Sequence, residues 1–181
     1  LSAQTKVDSL FAVWQDQAQP KASRVDAYKD YIWDGFMFSN PDSAFKLAEA
    51  LFDFANQQDD IRAKAQGLYL QGVSLHLRGG YSEALAYYKN GLNIFDEIHD
   101  QEGIASCLNA IGLIYLYKND YSRALNYFTR SLKLKEEIDD LQGVASALNN
   151  IGYIYHNQGD YPYALDYYTQ SLKIREKIDD H

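Results

Sequence analysis

The side chains that could do chemistry are few and scattered along the sequence. The four histidines are His76, His99, His156 and His181, and no two have the spacing of metal ligands with a third ligand nearby. The single cysteine, Cys107, stands where the positions 40 residues before and after it carry the small residues Gly67 and Ala147, which favours a small packed side chain. One cysteine also excludes an internal disulfide and a cysteine-based zinc cage. The sequence therefore predicts no metal centre and no cofactor.

Two further patterns resemble ligand-binding motifs but lack the residues that those motifs require. Gly79-Gly80 is not followed by the Lys-Ser or Lys-Thr that a phosphate-binding loop requires. The acidic pairs Asp59-Asp60, Asp139-Asp140 and Asp179-Asp180 lack the alternating oxygen ligands around a glycine that a calcium loop needs, and they favour helix N-caps instead. No catalytic set remains, so we expect this segment not to be an enzyme.

Composition narrows the class of protein further. The chain has 181 residues, 46% of them hydrophobic, and a formal net charge of −8. This balance is typical of a folded globular chain, and the acidic charge argues against a nucleic-acid-binding surface. No stretch approaches the length of about 20 apolar residues that a membrane helix needs, so we expect no membrane insertion by this segment.

An internal repeat is the strongest pattern in the sequence. Shifting the sequence by 40 residues aligns Gly72 with Gly112 and Gly152. Tyrosine, Ala-Leu and isoleucine positions recur with the same shift, at Tyr81, Tyr121 and Tyr161, at Ala84, Ala124 and Ala164, and at Ile98, Ile138 and Ile178. A fixed period of this length predicts stacked supersecondary units that bury their apolar faces against each other.

Each repeat contains two helical patterns. In the last repeat, apolar residues at Leu148, Ile151 and Tyr155 follow helical spacing, and Gly159 suits the end of that first helix. A second helix starts near Tyr161. We expect Gly152 on the first helix to face Ala164 on the second, because helices joined by a short turn approach closely only where side chains are small.

These residues resemble a tetratricopeptide repeat. The resemblance is carried by the string 147–155, then Gly159-Asp160-Tyr161, then the string 164–168. The 40-residue period is similar to the subclass in kinesin light chains and Pins-type adaptors, and related arrays occur in bacterial signalling proteins. The resemblance implies an all-α fold, a right-handed α-superhelix (α-solenoid) of antiparallel helix pairs.

The expected organisation is a single array over residues 1–181. It comprises a capping helix over 5–18, a degenerate repeat over 23–60 and three regular repeats over 63–100, 103–140 and 143–180. The degenerate repeat departs from the pattern at Ile32, where the other repeats carry glycine. Terminal repeats are often atypical because one side has no neighbour.

A stack of helix pairs exposes one face of every first helix along a concave groove. In the family these positions touch a protein or peptide, and here they are Tyr69, His76, Asn109, Leu113, Tyr117, Asn149, Tyr153 and His156. An amide both donates to and accepts from a peptide backbone, and tyrosine offers rigid amphipathic contact area. The alternative is structural: an asparagine can bond to the neighbouring repeat, and a tyrosine can pack on its neighbour.

Three functions stay open. The first is the amino-terminal sensory or regulatory region of a larger bacterial signalling protein of the histidine kinase, nucleotide cyclase or transcription regulator type. The second is a free-standing adaptor that assembles protein complexes, and the third is the non-catalytic part of an enzyme whose catalytic domain lies beyond residue 181.

The two ends of the sequence add two expectations. Residues 1–4 fit the end of a removed secretory signal as well as an ordinary helix start, so both a periplasmic and a cytoplasmic location stay open. The sequence stops at a repeat boundary, so we expect the uncapped last repeat to self-associate or to bind a segment in trans.

Overall fold

The computed structural model describes residues 3–179, and this part of the chain consists of helices joined by short turns, without a strand. The helices are α1 Ala3–Gln15, α2 Lys21–Ile32, a π-helical segment Trp33–Met37, α3 Pro41–Gln57, α4 Ile61–Leu77, α5 Tyr81–Glu97, α6 Gln101–Tyr117, α7 Tyr121–Glu137, α8 Leu141–Asn157 and α9 Tyr161–Asp179. The predicted all-α class of paired helices is confirmed. Leu1, Ser2, Asp180 and His181 lie outside the described residues, and so do the expectations that rest on them.

The helices group into two compact units, which we describe separately. Unit 1 runs from Leu1 to Ile98 and contains α1 to α5; unit 2 runs from His99 to His181 and contains α6 to α9. Each unit is built by packing consecutive helices against each other, with α3 on α4 and α4 on α5 in unit 1 and α6 on α7, α7 on α8 and α8 on α9 in unit 2.

The turns that precede α4 to α8 share one backbone conformation. The residue before each of these N-caps is left-handed, with φ of +51° at Asp59 and +55° at Asp139. The next aspartate caps the following helix: Asp60 Oδ1 accepts from the Ala63 N–H at 3.0 Å, and Asp140 Oδ1 accepts from the Gly143 N–H at 2.8 Å. The prediction that the acidic pairs are caps therefore holds for Asp60 and Asp140, whereas Asp59 and Asp139 supply the turn. The prediction for Asp179-Asp180 rests on a residue outside the described part of the chain.

The recurring spacing of glycines reflects a contact with an aromatic ring. A Cβ placed at Gly112 would lie 2.7 Å from Phe128, and one at Gly152 would lie 2.9 Å from Tyr168. The sequence predicted Ala164 beside Gly152; the atoms nearest the Gly152 Cβ position belong to the Tyr168 ring, one turn further along α9, and to Tyr167. Each regular helix pair thus packs a bare backbone against a ring.

Serine hydroxyls add a second tie between the helices of each pair in unit 2. Ser131 Oγ donates to the Ala105 carbonyl at 2.8 Å, and Ser171 Oγ donates to the Ala145 carbonyl at 2.7 Å. Both serines are buried, so these bonds satisfy polar groups that would otherwise be costly to bury.

Unit 1 begins with an aromatic core rather than a glycine contact. Trp14 of α1 stacks on Tyr28 of α2 with ring centroids 4.2 Å apart, and its edge meets Phe54 of α3 at 4.7 Å. Arg24 Nε donates to the Trp14 carbonyl at 2.9 Å. These contacts fix α1 against α2 and α3 where the sequence predicts a helix over 5–18.

Candidate functional site

The candidate recognition surface of unit 2 lies on α6 and α8, the first helices of two successive repeats. A spacing of about one helical turn places Asn149, Tyr153 and His156 on the same side of α8. All three residues are exposed. Tyr153 exposes 48% of its surface. The hydrophobic stripe that holds α8 in place, which includes Leu148 and Ile151, is buried on the other side.

On α6 the equivalent side carries one strongly exposed residue and two half-buried ones. Tyr117 exposes 60% of its surface, whereas Asn109 and Leu113 are half-buried. We refer to Asn109, Leu113, Tyr117, Asn149, Tyr153 and His156 together as the α6/α8 face.

An asparagine pair joins the two helices of this face. Asn150 Nδ2 donates to Asn109 Oδ1 at 3.2 Å, across 41 residues of sequence. The structural alternative therefore describes part of what Asn109 does, because its carbonyl oxygen is engaged by the neighbouring repeat. Asn149, one residue earlier on α8, is exposed and presents its amide to solvent. The pair also fixes the spacing between Asn109 and the exposed residues of α8.

The two predicted residues of unit 1 lie in a different setting. The Tyr69 ring lies 5.8 Å from the Tyr88 ring, and His76 Nδ1 lies 3.4 Å from the Tyr88 hydroxyl. Both Tyr69 and His76 are half-buried, and burial lowers the pKa of His76 below its ordinary value. In unit 1 these side chains therefore pack on Tyr88, and the exposed aromatic and amide groups of the prediction are concentrated in unit 2.

The histidines occupy a repeated position at the end of a first helix. His76 meets the edge of Tyr81 at 5.5 Å, and His156 meets Tyr161 at 5.6 Å. The same contact holds both imidazoles against the start of the following helix. His156 differs in being exposed, so its ring remains available to a ligand.

Unit 1 contains a residue of the same register that the sequence reasoning missed. Trp33 aligns with Val73, Leu113 and Tyr153 at the 40-residue shift, and it exposes 37% of its surface. Extending the shift through the degenerate repeat would have identified it. It was missed because Ile32, immediately before it, breaks the glycine pattern.

The arrangement suits non-covalent recognition. Burial raises the pKa of the Cys107 thiol to about 12, so this cysteine stays protonated at neutral pH. Between residues 3 and 179, no three histidine, cysteine, aspartate or glutamate side chains are grouped so that they could hold a metal ion. Over the same range, no helix combines the length and apolar character of a membrane span.

Repeated helix pairs with exposed polar and aromatic side chains on their first helices define a helical-repeat scaffold. Models of the tetratricopeptide repeat match residues 63–137 and 145–177. The chain belongs to the tetratricopeptide repeat family. No match was found among curated protein sequences.

Solved structures with the same fold come from several kinds of protein. The Rap conjugation gene regulator of plasmid pLS20, in complex with the Phr* peptide, matches with a TM-score of 0.86 and 15% identity, covering 99% of this chain and 49% of that one. A STAND signal-transduction ATPase with a tetratricopeptide repeat sensor, from Pyrococcus horikoshii, matches with a TM-score of 0.68 and 17% identity, covering 90% of this chain and 26% of that one.

A third solved structure is a putative kinesin light chain from Podosopora anserina with nearly identical repeats. It matches with a TM-score of 0.63 and 12% identity, covering 99% of this chain and 89% of that one. This chain thus spans about half the length of the Rap regulator and about a quarter of the ATPase. At these identities the likeness concerns the fold.

Proposed function

We propose that this chain is a non-catalytic scaffold that binds a peptide or protein segment on the α6/α8 face. The observation that carries the proposal is the exposure of Tyr117, Asn149 and Tyr153 on helices whose other sides are buried. Tyrosines of this kind are frequent binding hot spots because they bury a large area at a small cost in conformational entropy. The exposed amide of Asn149 adds a donor and an acceptor for a peptide backbone.

The surroundings of the α6/α8 face favour an uncharged contact with the peptide. The face presents amide, phenol and imidazole groups and the aliphatic side chain of Leu113. Groups of this kind recognise backbone and apolar side chains through shape and hydrogen bonds, whereas the strongest hydrogen bonds to a terminal carboxylate come from lysine or arginine. The ligand on this proposal is therefore an internal segment of a polypeptide.

The wider role that we propose is a sensory or regulatory region of a larger signalling protein. Support comes from the fold shared with a regulator whose structure contains a peptide and with a signalling ATPase that has a tetratricopeptide repeat sensor. The fold of the kinesin light chain-like protein supports the alternative of a free-standing adaptor. A catalytic domain beyond residue 181 is the third possibility, and the sequence of the complete reading frame distinguishes the three.

The binding proposal is tested by selecting ligands from a random pool, which requires no known partner. A phage-displayed random peptide library is selected on the immobilised chain, and the enriched peptides are measured by calorimetry against the chain and the double variant Asn149→Ala, Tyr153→Ala. We expect at least about a tenfold loss of affinity, the size typical of hot-spot truncation. The melting temperature should change little, because both side chains are exposed.

A matched control uses the same two residue types on second helices. Asn126 on α7 and Tyr163 on α9 are both exposed, so Asn126→Ala, Tyr163→Ala removes an equivalent amount of side chain elsewhere in unit 2. Peptides that lose affinity equally with both double variants would contradict the assignment of the α6/α8 face. Unfolding of the Asn149, Tyr153 variant would show that these residues belong to the core.

We also propose self-association through α9, with a second copy of the chain as the occupant. Leu165 and Leu172 of α9 expose 67% and 56% of their surface, whereas their repeat counterparts Leu125 and Leu132 on α7 are half-buried, and α7 packs on α8. Sedimentation analysis over a range of concentrations tests this proposal. We expect a dimer that Leu165→Lys, Leu172→Lys converts to monomer; a monomer at every concentration would contradict it.

A further inference from the structure

A cleft of about 350 Å³ lies between α1 and the π-helical segment of unit 1, and no residue of the α6/α8 face lines it. Its lining combines apolar and charged side chains, namely Lys6, Val7, Trp33, Asp34 and Phe38. A volume of this order accommodates one or two amino-acid side chains of a ligand. We refer to it as the α1/π cleft.

The π-helical segment creates the aromatic wall of this cleft. In an α-helix, residues five apart point about 140° away from each other, so Trp33 and Phe38 would face different sides. The wider turn of a π-helix brings residues five apart onto one side. The two rings accordingly meet edge to face, with centroids 5.6 Å apart and planes at 90°.

The same segment leaves both rings accessible. Trp33 exposes 37% and Phe38 exposes 68% of its surface. The local backbone is nonetheless held in place: Ser39 Oγ donates to the Gly35 carbonyl at 2.8 Å, and a Cβ at Gly35 would lie 3.1 Å from Val7. π-helical turns are frequent at functional sites, and exposed apolar patches mark interaction surfaces.

The charges at the rim select the ligand. Lys6 Nζ lies 2.7 Å from Asp34 Oδ2, and Asp30 acts on the same ammonium group. Lys6 and Asp34 are the charged residues of the lining, and the Asp30 carboxylate adds negative charge near the Lys6 ammonium group. The Lys6 side chain is 65% exposed, so its ion pair with Asp34 contributes little and yields readily to a better partner.

We infer that the α1/π cleft is a second recognition site, for a peptide segment that carries an arginine beside an aliphatic residue. The planar guanidinium stacks on the Trp33 ring and pairs with the Asp34 carboxylate, as this group does more readily than lysine. The aliphatic neighbour lies against Phe38 and Val7. This inference goes beyond the α6/α8 face, because all of its residues belong to unit 1 and none takes part in that proposal.

The chain has two tryptophans, so labelling with 5-fluorotryptophan gives two fluorine resonances that report on binding. Trp33→Leu assigns the signal of the cleft, and Trp14, which is stacked on Tyr28 in the core, serves as the internal reference. The probes are three capped peptides of the form Gly-X-Leu-Gly, where X is Arg, Leu or Glu. We expect the Arg peptide to shift the Trp33 signal and leave the Trp14 signal in place.

Two substitutions break the same ion pair and must act in opposite directions. Asp34→Asn should weaken binding of the Arg peptide by about three- to tenfold, since it removes the carboxylate that pairs with the guanidinium. Lys6→Met should strengthen binding of the Arg peptide, because the substitution frees Asp34 and removes a positive charge that repels the guanidinium. A purely structural effect of breaking the Lys6–Asp34 pair would move both variants in the same direction.

Three outcomes would overturn the inference. Preferential binding of the Glu peptide, lost in Lys6→Met, would mean that the cleft recognises an acid. Equal binding of all three peptides would mean that charge plays no part. A shift of the Trp14 signal equal to that of Trp33 would mean that the peptides perturb the fold. Asn149→Ala, Tyr153→Ala should leave Arg-peptide binding unchanged, which separates failure of this site from failure of the α6/α8 face.

Discussion

The pair α2 and α3 of unit 1 and the pair α6 and α7 of unit 2 differ at two corresponding positions, where the large and the small residue are exchanged. In unit 2, Gly112 on α6 packs against the ring of Phe128 on α7. At the corresponding positions of unit 1, Ile32 ends α2 and Ala48 lies on α3, and both are fully buried in one core cluster. The side chains of Ile32 and Ala48 together have about the same volume as those of Gly112 and Phe128. The degenerate repeat therefore lacks the glycine without a large change in the summed volume.

A second junction shows a paired replacement. In unit 2, Lys135 lies across the start of α8, with its Nζ 2.7 Å from Asp140 Oδ2, and a Cβ at Gly143 would require the Lys135 and Asp140 side chains to move. At the corresponding places of unit 1, Ala55 replaces the lysine and Ala63 replaces the glycine, and both are buried. Repeat positions are therefore constrained as pairs. A residue that differs from the regular repeats is compatible with the fold when the residue it packs against changes too.

The strongest test of this comparison transplants the unit 1 pair into unit 2. Phe128→Ala should cost about 3–5 kcal/mol of unfolding free energy because it leaves a cavity, and Gly112→Ile should cost about 3 kcal/mol because its side chain meets the Phe128 ring. In the double variant the isoleucine fills the space of the ring, so we expect a favourable coupling of about 2 kcal/mol. Urea denaturation of the four proteins measures it.

Simple addition of the two single effects would contradict pairwise exchange at this junction. The reverse transplant, Ile32→Gly with Ala48→Phe in unit 1, provides the matched comparison. It should also show favourable coupling, although the π-helical segment that follows Ile32 limits how far its neighbours adjust.

The second junction predicts a smaller effect. Gly143→Ala should destabilise the chain by about 1–3 kcal/mol, since its methyl group would displace Lys135, whose Cδ lies 2.6 Å from the ideal Cβ position. Lys135→Ala together with Gly143→Ala recreates the Ala55 and Ala63 pair, and we expect it to recover most of the loss. Thermal unfolding checks this, and a double variant no more stable than Gly143→Ala alone would count against the pairing.

The charged junction of unit 2 also predicts a pH dependence of stability. Burial disfavours the ionised Asp140 carboxylate, but the Lys135 ammonium and the Gly143 N–H outweigh it, so the pKa of Asp140 lies below its ordinary value. Because the folded pKa is the lower one, the stabilisation is present above the unfolded pKa of about 3.9 and is lost as the pH falls through the folded pKa.

The pH dependence is measured from urea midpoints in acid. Asp140→Asn should reduce the loss of stability below about pH 4, because no carboxylate remains there to be protonated. Asp59→Asn is the matched control in the turn before α4, where the side chain does not cap the helix. Identical acid profiles for the original chain and Asp140→Asn would rule out the junction as the source.

The smallest expected effect concerns the turns, which are alike in the two units. Asp59 and Asp139 have φ of +51° and +55°, a conformation that glycine adopts without steric cost. Asp59→Gly and Asp139→Gly should each raise the unfolding free energy by about 0.5–1 kcal/mol. Chemical denaturation of the two variants side by side tests this. Loss of stability in one variant alone would show that its aspartate side chain has a further role in that unit.

The sequence predicted the elements more completely than their contacts. The 40-residue shift placed the helix pairs of the regular repeats because buried apolar positions recur with helical spacing, and this pattern is visible within each helix alone. It did not identify the ring nearest to Gly152, since helical spacing says which side of a helix is buried but not which residue of the next helix lies opposite. The Tyr168 ring was therefore missed.

The candidate site was predicted in part for a similar reason. The register identified the exposed side of α8 correctly as a surface, with Asn149 and Tyr153 exposed. It did not indicate that Asn109 is engaged by Asn150, or that Tyr69 packs on Tyr88, because both contacts depend on how close two helices lie. Whether the exposed residues bind a ligand stays a prediction.

The sequence by itself determined the all-α repeat class, because periodic apolar residues, capping aspartates and turn residues are local properties that act within about one turn of helix. Only the tertiary structure decided which small residue meets which large one, and that a π-helical turn sets Trp33 beside Phe38. Those features depend on the summed volumes of side chains from different helices, and no single stretch of sequence contains that information.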